Sequence, residues 1–248
     1  MYRRNRIYIS GSEQKKIQQV KILIAGCGLG SNIAECALRL GFENICIVDG
    51  DKVELSNLNR QNYTFRDIGK FKAKILRKRL LEINPRANIL SHTHYITPEN
   101  VNDIQIQQYN IAINTLDFSS DISFLFDRIC LISHIPVIHP YNLGWAGLVF
   151  VTDEGSEQLE TILENHLNVE KTVVSFVLDR LKKKDISIDW LTESLNKYSK
   201  ETNRLPPPQL AIGSCIIAGI ATNLLYNIST NRPVKKFPDF DILLVPCL

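Results

Sequence analysis

Three glycines and one acid are the first residues able to do chemistry. Gly26, Gly28 and Gly30 follow a short apolar run at residues 21–25, and Asp49 ends a second run at residues 45–48. Glycines let backbone N–H groups approach a phosphate, and the N-terminus of a following helix favours its negative charge. An acid about 20 residues further on accepts hydrogen bonds from ribose hydroxyls. Asp49 follows Gly30 by 19 positions. The pattern predicts a nucleotide pocket. The spacing G-x-G-x-G is one residue shorter than the usual G-x-G-x-x-G, and a tight turn without a ligand would use the same glycines. The strand–turn–helix–strand–acid context favours the pocket.

Three more side chains fit a phosphate site. Arg60 closes the polar loop 52–61, and arginine's planar donor fork suits phosphate; a solvated surface arginine is the competing reading. Lys72 stands near the start of an expected helix and can point toward a sheet edge, unlike the lysines and arginines further along. Asp117 directly follows an expected buried strand at residues 110–115. Open α/β sheets bind ligands at the carboxyl ends of such strands, so Asp117 is a candidate magnesium ligand. An N-cap for a helix from about Ser119 is its alternative.

These residues need a scaffold. Apolar spacing predicts helices over residues 14–20 (beginning near Ser12), 31–41, 69–83, 97–99 and 121–134, and strands over 21–25, 45–48, 88–96, 110–115, 137–139 and 145–151. Residues 140–144 read as a turn. The rhythm argues an α/β fold: a Rossmann-like, mostly parallel sheet with helices on both faces. Residues 153–208 read as a helical insertion, with helices over 157–166, 171–183 and 188–200 and a charged joint at 182–185. Three consecutive prolines at 206–208 predict an extended crossing segment. A buried helix at 210–227 and a last strand at 241–245 complete a single domain over 1–248.

Bulk properties bound the rest. The chain has 248 residues, 44% apolar and 22% charged, which is ordinary for a globular protein with ample core. A net charge of +3 points to no nucleic-acid partner. The start Met1-Tyr2-Arg3-Arg4-Asn5-Arg6 leads into a polar segment with no apolar core, and no apolar run is expected to span a membrane. Of six cysteines none forms C-x-x-C, so no structural zinc is expected. Cys36, Cys46 and Cys215 read as buried thiols, and the set suggests a reducing, cytoplasmic setting. His92 and His94 lack a third ligand and read as structural.

The combination Ser56-Asn57-Leu58-Asn59-Arg60-Gln61, then Gly69-x-x-Lys72, then Ile83-Asn84-Pro85, resembles the ThiF/MoeB/HesA family of adenylating domains related to ubiquitin-activating enzymes. Thr115-Leu116-Asp117 is similar to that family's motif at the fourth strand. The resemblance covers about residues 3–150 and resumes near 209–228. It implies that Gly26, Gly28 and Gly30 line the phosphates of ATP and that Asp49 holds the ribose. It implies triphosphate contacts for Asn57, Arg60, Gln61 and Lys72, and Mg²⁺ on Asp117. Arg3-Arg4-Asn5-Arg6 looks like the family's N-terminal arginine segment. This makes Arg3 a finger reaching into a neighbouring subunit and implies a homodimer.

The implied chemistry is attack by a carboxylate on the α-phosphate of ATP, with pyrophosphate leaving. In the family that carboxylate is the C-terminal glycine of a ubiquitin-like sulfur carrier. Residues 153–208 hold no cysteine, so adenylation without a thioester on this chain is expected, and that segment is free to recognise a different acceptor. A tRNA threonylcarbamoyl-adenosine dehydratase-like enzyme is the alternative within the superfamily, with the basic run 70–79 as its RNA face. An NAD(P)-binding dehydrogenase fits the glycines alone, and a non-catalytic nucleotide-binding partner fits the missing cysteines.

Overall fold

A computed structural model describes residues 1–117, 121–162, 169–183, 188–201 and 205–245. Its centre is a seven-stranded sheet: β1 (Lys21–Ala25), β2 (Asn44–Val48), β3 (Asn88–His92), β4 (Ile111–Asn114), β5 (Val137–Asn142), β6 (Ala146–Thr152) and β7 (Asp241–Leu244). The spatial order is β3-β2-β1-β4-β5-β6-β7. The first five strands run parallel, β6 runs antiparallel to β5, and β7, antiparallel to β6, returns to the direction of the first five. The direction of winding reverses between β1 and β4, which opens a crevice at their carboxyl ends.

Successive side chains of a strand face opposite sides, and three apolar clusters follow. Ile22 and Ile24 face α1 (Gly11–Gln19), α2 (Leu29–Leu40), α3 (Lys72–Ile83) and α7 (Ala211–Ser229). Leu23 and Ala25 face α4 (Ile122–Ile132) and the 3-10 turns Val101–Ile104 and Ile106–Gln108. Leu148 and Phe150 of β6 pack against α5 (Val169–Lys182) and α6 (Asp189–Ser199).

Several boundaries differ from expectation for local reasons. α1 begins at Gly11 because Ser10 accepts from the Glu13 N–H while the Glu13 carboxylate accepts from the Ser10 N–H, a closed capping box. α3 begins three residues later than its apolar spacing suggests. Gly69 has φ +80°, and residues 69–72 pair with the chain at 51–53 before the helix can start. β3 stops at His92, and the expected helix at 97–99 is a turn followed by the two 3-10 segments. β5 runs through Pro140, which lies past the last residue paired with β4, and the turn to β6 is shorter than expected. Of the helix expected over 157–166, a 3-10 turn at Leu159–Ile162 is described; residues 163–168, residues 184–185 of the charged joint, Ser119 and Cys247 lie outside the described residues.

α7 is 19 residues long with a mean hydropathy of 1.5, enough in length and composition alone to cross a membrane. It packs as a core helix: Ile217, Ala221, Leu224 and Leu225 are buried in the α2 side of the sheet. Cys215 on the same helix is exposed, so its expected burial is corrected.

One buried polar chain crosses the interior. The Asn114 amide donates to the Asp127 carboxyl at 2.7 Å, Asp127 stands 3.8 Å from His139, and His139 pairs with the Thr152 hydroxyl at 3.0 Å. Burial pushes Asp127 up to about 8 and His139 down to about 3. Both are therefore neutral near pH 7. The folded chain holds a proton on Asp127 that the unfolded chain releases above about pH 4, so this group subtracts stability as pH rises from 4 toward 8. Asp127→Asn keeps a neutral side chain of the same shape. Thermal unfolding of this variant from pH 5 to 8 should gain several degrees over the parent at pH 8 and little at pH 5; a uniform loss at every pH would mean a buried ion pair instead.

Candidate active site

The crevice between β1 and β4 opens into a cavity of about 850 Å³. Gly26, Gly28, Asp49, Asn57, Arg60, Gln61, Lys72 and Asp117 all line it. Eight of the residues singled out from the sequence are thus brought together. Two are not. Gly30 and Arg3 do not line the cavity.

Gly30 has a different task. A Cβ there would stand 2.7 Å from the Ile24 Cγ2, so the missing side chain lets α2 pack closely on β1. Gly26 is the glycine that the turn needs. Its φ is +92°, and a Cβ would lie 2.5 Å from the Thr115 carbonyl oxygen. Gly28 caps α2, whose N-terminus is directed to the crevice, a favourable end for an anion.

The acids are held by backbone and by each other's partners. Asp49 accepts from the Cys27 N–H and the Asp51 N–H, both at 2.6 Å, one on each carboxylate oxygen. Each oxygen keeps a second lone pair for a ribose hydroxyl. Burial raises Asp49, against the pull of those N–H groups and of Lys72. Asp51 was not singled out from the sequence. Its carboxylate accepts from Lys72 Nζ at 2.8 Å and from the Tyr95 hydroxyl at 2.7 Å. Desolvation would raise it, but these two bonds and the lysine charge outweigh it and hold it low. The alternation Asp49-x-Asp51 was the one signal that could have found it.

Lys72 is 7% exposed, the buried exception on a basic helix. The pairing of residues 51–53 with 69–72 sets its backbone N–H on the Asp51 carbonyl at 2.9 Å and turns its side chain inward. Further along the helix, Arg79 binds Glu35 and Arg77 donates to the Ile89 carbonyl. Two groups of the basic face read as a candidate RNA surface are thereby engaged with neighbouring elements while staying at the surface.

Arg60 donates from Nε to the Gln209 side chain at 2.6 Å, and from Nη1 to the Ser56 carbonyl at 2.9 Å and the Asn59 side chain at 2.8 Å. Desolvation lowers it and the Asp117 charge opposes that; arginine stays protonated regardless. Asp117 opens to the cavity, yet the walls around it raise its carboxyl, with the Asp51 charge adding to the effect and Lys72 and Arg60 opposing it. α4 starts at Ile122 with Asp121 in the cap position, so Asp117 is not the helix cap that the alternative reading required. Asn57 is buried and accepts from the Glu54 N–H, which fixes the loop carrying Arg60.

Three observations bear on what the cavity holds. The Gln61 Oε1 is buried and unpartnered among the described residues. Lys72 and Arg60 supply two cations beside a helix N-terminus. Cys27, beside Asp49, is fully buried, and burial followed by the Asp49 charge pushes its thiol well up, which makes it a poor nucleophile. This arrangement suits a polyphosphate and not thiol catalysis. No cluster of three metal-ligating side chains occurs among the described residues. Mg²⁺ commonly takes one or two carboxylates plus substrate phosphates and waters, so Asp117 with a triphosphate meets its needs.

A family model described as "ThiF family" matches residues 2–243. This chain belongs to the ThiF family. It is 34% identical over 146 residues to a SUMO-activating enzyme subunit 2 of Dictyostelium discoideum, covering 58% of this chain and 22% of that one. It is 32% identical over 146 residues to a probable molybdopterin-synthase adenylyltransferase of Gracilaria tenuistipitata var. liui, covering 58% of this chain and 40% of that one. This ThiF chain therefore matches less than half the length of either relative. The structure of E. coli MccB with ATP superposes with a TM-score of 0.65 at 16% identity, over 88% of this chain and 59% of that one. That likeness carries the ThiF fold.

Proposed function

We propose that this chain uses ATP to adenylate a carboxylate. The observation that carries the reading is the meeting of Arg60, Lys72 and Asp117 in one cavity with Gly26, Gly28 and Asp49. In this reading Asp49 holds the ribose, and the glycine turn with Asn57, Gln61, Arg60 and Lys72 holds the phosphates. Mg²⁺ on Asp117 would neutralise phosphate charge. The carboxylate oxygen attacks the α-phosphorus, the bond to the β-phosphate breaks, and an acyl-adenylate and pyrophosphate form. Both reactants are anions, so Arg60 and Lys72 contribute by stabilising charge that builds in the transition state. No protein nucleophile takes part.

One relative is named as a SUMO-activating enzyme subunit, and the family resemblance extends this to the C-terminal glycine of a ubiquitin-like or sulfur-carrier protein as the nominated carboxylate. Arg3 is exposed on the 3-10 turn Tyr2–Asn5, which is tied by Tyr2 and Asn5 to the C-terminal end of α2. The cavity adjoins the other end of that 12-residue helix, roughly 18 Å away at 1.5 Å per residue. A finger role for Arg3 therefore needs a second copy of the chain, and a homodimer is part of the proposal. The test is ATP–pyrophosphate exchange with Mg²⁺ and candidate carboxylates. Carboxylate-dependent exchange is expected; NAD binding without ATP binding would overturn the reading, and exchange requiring tRNA would move it to the dehydratase-like alternative.

A further inference from the structure

The cavity continues past Arg60 and Asp117, and its chemistry changes there. α6 turns one face to it: Trp190, Ser194 and Tyr198 form one row at four-residue spacing, and Leu191 and Leu195 form the next. Val174 of α5 faces them, and the prolines 206–208 run along the side. Among the described residues that α5 and α6 contribute to the lining, Lys171 is the one charged group, and its ammonium sits 5.5 Å from the centre of the Tyr198 ring. Small-molecule pockets span about 300–1,000 Å³. At about 850 Å³ this cavity has room for a second small ligand beside a nucleotide.

We propose that the α5–α6 end is the subsite for the acyl donor. The geometry points to a small carboxylic acid with a bulky apolar body, an acyl chain or an aromatic ring, rather than the glycine tail of a carrier protein. This rests on the adenylation reading above and puts a different acyl donor in place of the carrier tail nominated there. A glycine tail has no side chain to fill a wide apolar chamber, and its peptide groups would lose water against Trp, Leu and Val walls without gaining partners. An acyl chain or ring gains from each methylene removed from water. Its carboxylate would then project toward Arg60 and Lys72, where the α-phosphate is held. Gln209, which follows the prolines and accepts from Arg60 Nε, links the two ends of the cavity.

The experiment is pyrophosphate exchange on the full chain with octanoate, phenylacetate and acetate, and with a ubiquitin-like carrier ending in Gly-Gly. Octanoate and phenylacetate are expected to support exchange at least tenfold faster than acetate or the carrier. Ser194 is exposed at its backbone turn and lines the cavity, so Ser194→Trp adds bulk inside without disturbing a packed core. It should raise the KM for octanoate at least tenfold and leave the KM for ATP within twofold. Trp190→Ala should move the preference to larger acids. Exchange driven only by the carrier, equal rates with acetate, no exchange with any acid, or no response to Ser194→Trp would each overturn the subsite. Titration with a non-hydrolysable ATP analogue separates the two readings: failure to bind it defeats adenylation itself, whereas binding combined with any of those results defeats the subsite alone.

Discussion

Arg60→Ala should lower carboxylate-dependent pyrophosphate exchange by about 10³-fold, the scale expected when one fixed donor to developing charge is removed. The side chain is held from two directions, by Gln209 on Nε and by Ser56 and Asn59 on Nη1. In the proposed reaction it would meet the phosphate already oriented, so that little would be lost to reorganisation. The variant should still fold, because Arg60 belongs to the cavity lining and to none of the apolar clusters. Arg60→Lys restores the charge without the fork and should recover only part of the rate. Unfolding curves run beside the assay separate chemistry from stability. Full exchange by Arg60→Ala would remove this residue from the mechanism.

Gly26→Ala should cost about 3 kcal/mol of stability from overpacking and an unfavourable positive φ, and should abolish ATP binding. The new Cβ would meet the Thr115 carbonyl at 2.5 Å and its Oγ1 at 2.6 Å, in a backbone with φ +92°. Thr115 is tied back by donating to the Ala25 and Gly26 carbonyls, both at 2.9 Å, so the neighbour has nowhere to move. Gly30→Ala offers a contrast. Its new Cβ would crowd the Ile24 Cγ2 at 2.7 Å and would meet the Thr115 Oγ1 only at an ordinary 3.4 Å, and Ile24→Val in the same chain should relieve part of that cost. No comparable second substitution should rescue Gly26→Ala. Denaturant unfolding and nucleotide titration of these three variants check both statements, and a Gly26→Ala chain of parental stability would contradict the geometry.

The nucleotide-binding half was legible because its signals are local. The glycine turn, the helix after it and Asp49 are set by spacings of a few residues to one strand–helix–strand unit, and each follows from backbone freedom or apolar period. The basic helix shows the limit. Six cations between residues 70 and 79 look alike in sequence; the short pairing of residues 69–72 with 51–53 selects Lys72 and presses it onto Asp51. Asp51 itself has no marker beyond its place two residues after Asp49. Gly30 and Gly28 cannot be told apart by spacing, yet one serves packing and the other the cavity.

By itself the chain's order of residues determined the α/β class, the parallel half of the sheet and the set of groups able to hold a nucleotide, since period, turn chemistry and strand ends act over short distances. Tertiary structure alone decided which groups share a cavity. Arg60 meets Gln209 across 149 positions, and α6 lends its aromatic face to a site whose glycines lie more than 150 residues earlier. Such contacts are made by packing helices onto a finished sheet. Their partners leave no periodic trace in either segment.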